Sequence, residues 1–167
     1  MEANNTAETS QIRKLRSRAE AHQCADFMSH SEPWITLRRS YNDCLQTLGD
    51  ECKEIYVAIK NGGLIGFIIL DMNGPFVGYI QSVCVSPRSR NKGVGTTLLN
   101  FAEKTIFRRA PNVFICVSSF NRNARRLYKR LGYGVVGTLH DYVVSGHSEI
   151  LMRKTTGALT EFKRTSN

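Results

Sequence analysis

The spacing of apolar positions changes several times along the chain, and each change marks a predicted element. In EIYVAIKNGGLIGFIILDM, residues 54–72, two runs of β-branched and aromatic residues flank Asn61, Gly62 and Gly63. That arrangement predicts a β-hairpin whose turn takes positive φ. A further long strand is expected in FVGYIQSVCVSP, closed by Pro87, and a short first strand in QIRKLRS. Residues 18–29 and 33–48 show helical spacing, with Pro33 after Ser31 suited to opening the second helix. Val94, Leu98, Leu99, Ala102 and Ile106 fall on one face of a helix over 93–109, and NVFICVSSF after Pro111 predicts a buried strand. A last helix, NARRLYKRLGY, ends at Gly132 with a C-terminal glycine, and GYGVVGTLHDYVV and HSEILMRK predict two more strands. The implied architecture is α/β in the wider sense, an α+β mixed sheet covered by helices, in a single domain over residues 11–155. Residues 1–10 are expected to fray and 156–167 to form a polar tail.

Composition narrows the partners. A chain of 167 residues with 41% hydrophobic content supports one core of ordinary size. The 23 Lys and Arg against 14 Asp and Glu give a formal charge of +9, so the expected ligand is anionic. Nucleic acid, an acidic protein surface and a polyphosphate cofactor all fit that description. No apolar run approaches the ~20 residues of a membrane span. The start MEANNTAETS lacks the basic end and apolar stretch of a signal peptide, so a cytoplasmic location is expected. Cysteines at 24, 44, 52, 84 and 116 are odd in number and have no CxxC spacing, so reduced thiols and no metal site are expected.

The charge has a focus. RSRNKGVGTTLLNFAEK, residues 88–104, sets three basic side chains and two glycines against the start of the helix over 93–109. The first amides of a helix have no intrahelical partner, and glycines at 93 and 95 let an anion reach them. The helix dipole and Arg88, Arg90 and Lys92 add positive potential, so the turn is built to receive phosphate. Glycines that merely permit a tight turn beside a solvated basic loop would read the same. The GK[ST] of a nucleotide-hydrolase loop is absent, and the dinucleotide pattern GxGxxG fails because position 98 is leucine.

These residues carry a resemblance. VSPRSRNKGVGTTLL resembles the pyrophosphate loop of the GNAT superfamily of acyl-CoA N-acyltransferases, with Arg90, Gly93 and Gly95 at its pattern positions. About thirty residues on, NRNARRLYKRLGY is similar to that family's second signature through Asn121, Ala124, Leu127, Tyr128, Gly132 and Tyr133. The likeness covers roughly residues 10–155. It implies a mostly antiparallel central sheet whose parallel fourth and fifth strands splay apart, with helices on both faces. It further implies that acetyl-CoA lies in the splay, its pantetheine paired like an added strand with the backbone of Val83, Cys84 and Val85. The pyrophosphate would meet the segment Arg90, Asn91, Lys92, Gly93, Val94, Gly95 and Thr96, with Asn121, Ala124 and Tyr128 also beside the cofactor.

The reaction so implied is direct attack of a primary amine, on a small molecule or a peptide, at the acetyl thioester through a tetrahedral oxyanion. A donor such as the Val85 N–H would hold the oxyanion, and Tyr128 would protonate the departing thiolate. Half-buried packing is the competing role for Tyr128. The family's strand carboxylate is missing, since the fourth strand offers Gln81 and the fifth Cys116. The base stays open at this level: Glu149 and His147 on the last strand, Asp141 and His140 before it, or an amine that arrives already partly neutral would each serve, with Glu149 taken as the candidate. Cys116 reads as core rather than as a nucleophile, and Trp34 as packing on the first helices. The stretches RRLYKR and FRR suit an RNA surface, although a solvated helix face has the same composition. A non-catalytic acyl-CoA-binding or RNA-binding module thus stands as the alternative to an N-acetyltransferase. The amine acceptor, the acyl chain and homodimer formation stay open at this level.

Overall fold

The computed structural model describes residues 10–163, so most of the predicted frayed N-terminus and the end of the polar tail lie outside it. Its elements run β1 (Gln11–Lys14), α1 (Arg18–Ser29), α2 (Tyr41–Leu48), β2 (Lys53–Lys60), β3 (Gly63–Asp71), β4 (Tyr79–Val85), α3 (Val94–Phe107), β5 (Asn112–Ser118), α4 (Arg122–Arg130), β6 (Gly134–Leu139) and β7 (Glu149–Thr155). Short 3-10 turns follow β4 and β7. The first tail residues are tied back, because the Thr156 N–H donates to the Pro111 carbonyl at 2.9 Å.

The seven strands form one sheet in the order β1-β2-β3-β4-β5-β7-β6. Asn61 and Gly62 take φ of 52° and 75° and close the β2–β3 hairpin with the positive-φ turn their sequence predicts. All neighbouring strands are antiparallel except β4 and β5. Side chains alternate across the sheet and build two cores. Phe67 and Ile69 face α1 and α2 together with Cys24, Cys44 and Cys84. Ile68 and Leu70 face the α3 side, where Leu98, Leu99, Ala102 and Ile106 fill the predicted helix stripe.

The parallel pair decides where a ligand fits. β4 and β5 are joined at Tyr79–Phe114 and Ile80–Ile115 and then part. Beyond that point β4 continues to pair with β3 up to Val85, and β5 with β7 up to Ser118. The β3–β4 register slips so that Ile69 meets Ser82 while Leu70 meets Ile80, which leaves Gln81 as an extra residue. Such a bulge bends the strand that carries it, here at the point of parting. Gly78 holds the closed end, with φ of 91° and its carbonyl accepting from Phe114 N–H at 3.0 Å.

Three predicted boundaries need correction. The helix expected over 33–48 is helical only from Tyr41, because Arg38 takes φ of 55° and Ser40 opens α2 with a capping box to Asp43. Pro33 sits in a run of turns instead of a helix start. The strand expected from Phe76 begins at Tyr79, and the strand over 132–144 spans only Gly134–Leu139 before a loop in which Asp141 has φ of 50°.

Candidate active site

The gap between β4 and β5 opens into a cavity of about 990 Å³. Val83 and Val85 form one wall and Ile115 to Ser118 the other, with the starts of α3 and α4 closing one end. Ser86 N–H donates to Ile65 O at 2.9 Å, so strand alternation turns the Val85 N–H away from β3 and into the gap. The same alternation exposes the backbone of Val83. Neither has a strand partner on this side, although Val85 O accepts from Arg90.

At the α3 end, Gly93 caps the helix with φ of 81°, a left-handed conformation that glycine takes without strain. Thr97 N–H is the first to find its helical acceptor, Gly93 O at 3.0 Å. The amides of Val94, Gly95 and Thr96 therefore lack intrahelical partners and lie at the cavity lining. A Cβ on Gly95 would stand 3.8 Å from both Val85 and Leu127, so a larger side chain there would enter the gap. Arg90 reaches across the loop, donating to Ser31 Oγ at 2.7 Å and to Val85 O at 3.3 Å. It ties the turn before α3 to the connection between α1 and α2. Lys92 does not line the cavity, since its Nζ donates to Arg88 O at 2.9 Å. Cys84 points to the opposite core and is 4% exposed, where burial pushes its thiol up to about 12. Arg90, Asn91, Gly93, Val94, Gly95 and Thr96 all line the opening.

Asn121 and Ala124 line the cavity through a capping role. Asn121 Oδ1 accepts from Ala124 N–H at 3.2 Å and so starts α4. Gly132 ends that helix with φ of 92°, and Tyr133 N–H returns to Tyr128 O at 3.0 Å. This frame presents Tyr128, 5% exposed, at the cavity wall. Burial raises its hydroxyl pKa above the ordinary tyrosine value, so it stays protonated.

The β5–β7 side of the opening is where the sequence leaves the base unsettled. Glu149 leads β7 opposite Ser118 and is 6% exposed, yet it lines the cavity. Ser118 Oγ donates to its Oε1 at 2.5 Å. Burial raises the carboxyl pKa from its ordinary value, and the Ser118 bond pulls it back in part. Cys116, Tyr79 and Tyr142 adjoin it in the lining. Burial likewise raises the Tyr79 hydroxyl, and the Cys116 thiol beside it adds to the shift. The alternatives to Glu149 lie elsewhere. His140 Nδ1 is 3.1 Å from Ser148 Oγ, Asp141 accepts from Gly146 N–H at 2.7 Å, and His147 packs edge-on against Phe120. Trp34 both packs against the α1–α2 core and lines the cavity beside Glu32. Ser118, Tyr79 and Tyr142 carry no motif, and only the three-dimensional register brings them to Glu149.

Over residues 15–133 the sequence matches the acetyltransferase (GNAT) family. The chain belongs to that family. It is 37% identical to an uncharacterized N-acetyltransferase of Methanocaldococcus jannaschii over 101 residues, 59% of this chain and 64% of that one. It is 29% identical to an N-alpha-acetyltransferase of Sulfurisphaera tokodaii over 110 residues, 58% of this chain and 66% of that one. The match thus spans under two thirds of the length of either relative. Its fold resembles that of an aminoglycoside 6'-N-acetyltransferase complexed with coenzyme A, with a TM-score of 0.72 at 16% identity, covering 89% of this chain and 98% of the other. The splayed parallel pair and the two cores are thus the GNAT fold. Among the described residues no group of His, Cys, Asp and Glu gathers to hold a metal, and no helix is long and apolar enough to cross a membrane.

Proposed function

We propose that the protein transfers an acetyl group from acetyl-CoA to a primary amine. The observation that carries this reading is the gap itself, where unpaired backbone on β4 runs toward unpartnered amides at the start of α3. A ligand with amides along its length and a diphosphate at its end matches both features. The space left beside Gly95 suits the approach of that diphosphate to the helix.

When bound, acetyl-CoA supplies an acetyl thioester in the gap. Val85 N–H, turned away from β3, donates to the carbonyl oxygen as negative charge collects there. Glu149, ionised, takes a proton from the incoming ammonium so that the amine attacks in its neutral form. Its burial suits a base, because a carboxylate deprived of water holds a proton more readily than an exposed one. Ser118 fixes its orientation. Tyr128, kept protonated by burial, would give its hydroxyl proton to the departing sulfur and recover one through solvent, while the nitrogen of the intermediate sheds its remaining extra proton to solvent as the amide forms. The Glu149 carboxylate at the cavity supplies the acid–base group that Gln81 and Cys116 do not, which favours an enzyme over a non-catalytic binding module. The acceptor class stays at primary amines, whether on peptides or small molecules.

Thiol release from acetyl-CoA, measured against a panel of peptide N-termini, polyamines and amino sugars, tests the proposal. Release matched mole for mole by an acetylated amine supports it. Acetyl-CoA bound without turnover on any amine would overturn it in favour of a binding module.

A further inference from the structure

We propose that Ser31 is a positioning residue for coenzyme A, acting through Arg90 to hold the turn before α3 in the shape that receives the diphosphate. Arg90 is then a strut of that turn. This inference rests on the acetyl-CoA reading above, and it assigns a duty to a buried hydroxyl that no motif marks.

The turn needs support that its own residues do not give. Asn91 and Gly93 take φ of 59° and 81°, and an asparagine in the left-handed region carries a strain that glycine escapes. Inside the turn, Ser89 N–H donates to Ser86 O at 2.9 Å and Lys92 Nζ to Arg88 O at 2.9 Å. Among the described residues, one hydrogen bond joins residues 88–93 to a part of the chain outside 85–97, the 2.7 Å bond from Arg90 Nη2 to Ser31 Oγ. Its partners are 59 residues apart in the chain. The turn therefore leans on a single external contact.

Ser31 is a fixed post for that contact. It is 3% exposed, its N–H donates to Met28 O at 3.0 Å at the end of α1, and its carbonyl accepts from Ile35 N–H at 3.2 Å. Met28 is itself packed in the core shared by α1 and α2. Arg90 forms no ion pair among the described residues, and its two acceptors, Ser31 Oγ and Val85 O, are neutral oxygens. A bond from a charged donor is stronger than one between neutral groups, and removing its acceptor leaves the donor unsatisfied. With both oxygens engaged, Arg90 fixes Val85 at the end of β4 and its own turn relative to α1. The ordering of residues 90–93 is thereby completed on folding, before a ligand arrives. Without the Ser31 hydroxyl it would fall to the binding step, and coenzyme A would bind more weakly.

Calorimetric titration of the full chain with coenzyme A, under reducing conditions and in a double-mutant cycle, tests this. Ser31→Ala is expected to lower affinity at least ~5-fold. Ser31→Cys keeps the volume but offers a poor acceptor, so it should lose affinity as the alanine variant does, and it carries the test if that variant is unfolded. Arg90→Met removes the guanidinium and keeps the stem, and in that background Ser31→Ala should have no further effect. Melting curves check that each variant is folded. Wild-type affinity in Ser31→Ala overturns the proposal, and wild-type affinity in Ser31→Cys overturns it in favour of packing. Losses that add across the two sites overturn it as well, because Ser31 then does not act through Arg90. Tighter binding by Ser31→Ala overturns it in favour of a hydroxyl that holds Arg90 away from the phosphates. Failure of the wild type to bind coenzyme A removes the proposal together with the acetyl-CoA reading, which every other outcome leaves standing.

Discussion

At the scale of single residues, the proposed reaction gives Tyr128 and Glu149 opposite duties, and their environments push both toward holding a proton. Burial raises the Tyr128 hydroxyl, so the proton donor remains loaded across the neutral range. Tyr128→Phe keeps the ring and its buried area, so turnover is expected to fall by ~10²-fold or more with acetyl-CoA affinity and melting temperature nearly unchanged. Steady-state rates set beside calorimetry separate this from a packing role, in which Phe would retain full turnover. Glu149 acts only when ionised, so the rate should rise with pH along a limb displaced upward from the ordinary carboxylate range. Glu149→Gln should abolish that limb and lower turnover by ~10²-fold or more. Its stability should move the other way. A folded-state pKa raised above the unfolded value penalises the native protein once pH exceeds the unfolded value. Gln never ionises and still accepts from Ser118, so the variant is expected to melt no lower than wild type at neutral pH. Any advantage should vanish below the carboxylate range. Tyr128 was legible in the sequence because a helix motif surrounds it. Glu149 was a choice among four residues, since its distance from Ser118 in the chain hides a cross-strand contact.

At the scale of elements, the closed end of the β4–β5 gap depends on Gly78 and the phosphate turn on Gly93 and Gly95. A Cβ on Gly78 would lie 2.3 Å from the Asn112 carbonyl oxygen and 2.6 Å from Ile106 Cγ2, at a φ of 91°. Gly78→Ala must therefore part the strands or strain the backbone, and a loss of more than ~2 kcal/mol in denaturant unfolding is expected. The two turn glycines should separate. Gly93 has open space around it but a left-handed φ, so Gly93→Val is expected to cost ~1–2 kcal/mol of stability. Gly95→Val leaves a helical φ in place and fills the gap instead, so coenzyme A affinity should fall by roughly 30-fold with the fold intact. Calorimetry and unfolding curves on both variants check the division. Most elements followed their apolar period closely, α1 and the β2–β3 hairpin above all. The second helix did not, because the 33–48 segment has helical spacing throughout while Arg38 and the Ser40 cap interrupt it locally. The Gln81 bulge left no trace in the alternation of β4, since it shows only in pairing with β3.

At the scale of the whole molecule, the formal charge of +9 is unevenly placed. Arg90, Arg126 and Arg130 line the cavity together with Glu32 and Glu149. The net charge was plain from composition, but which charged residues line the opening appears only when the sheet brings β7 and the α1–α2 connection to it. The central claim is that acetyl-CoA occupies the opening between β4 and β5 and pairs with its free backbone. Amide hydrogen exchange of the full chain with and without acetyl-CoA tests it most directly. The account predicts new protection at Val83, Val85 and the amides of Val94, Gly95 and Thr96, with β1 and β2 unchanged. Protection confined to other surfaces, or a bound ligand that leaves the Val83 and Val85 amides exchanging as before, would contradict it.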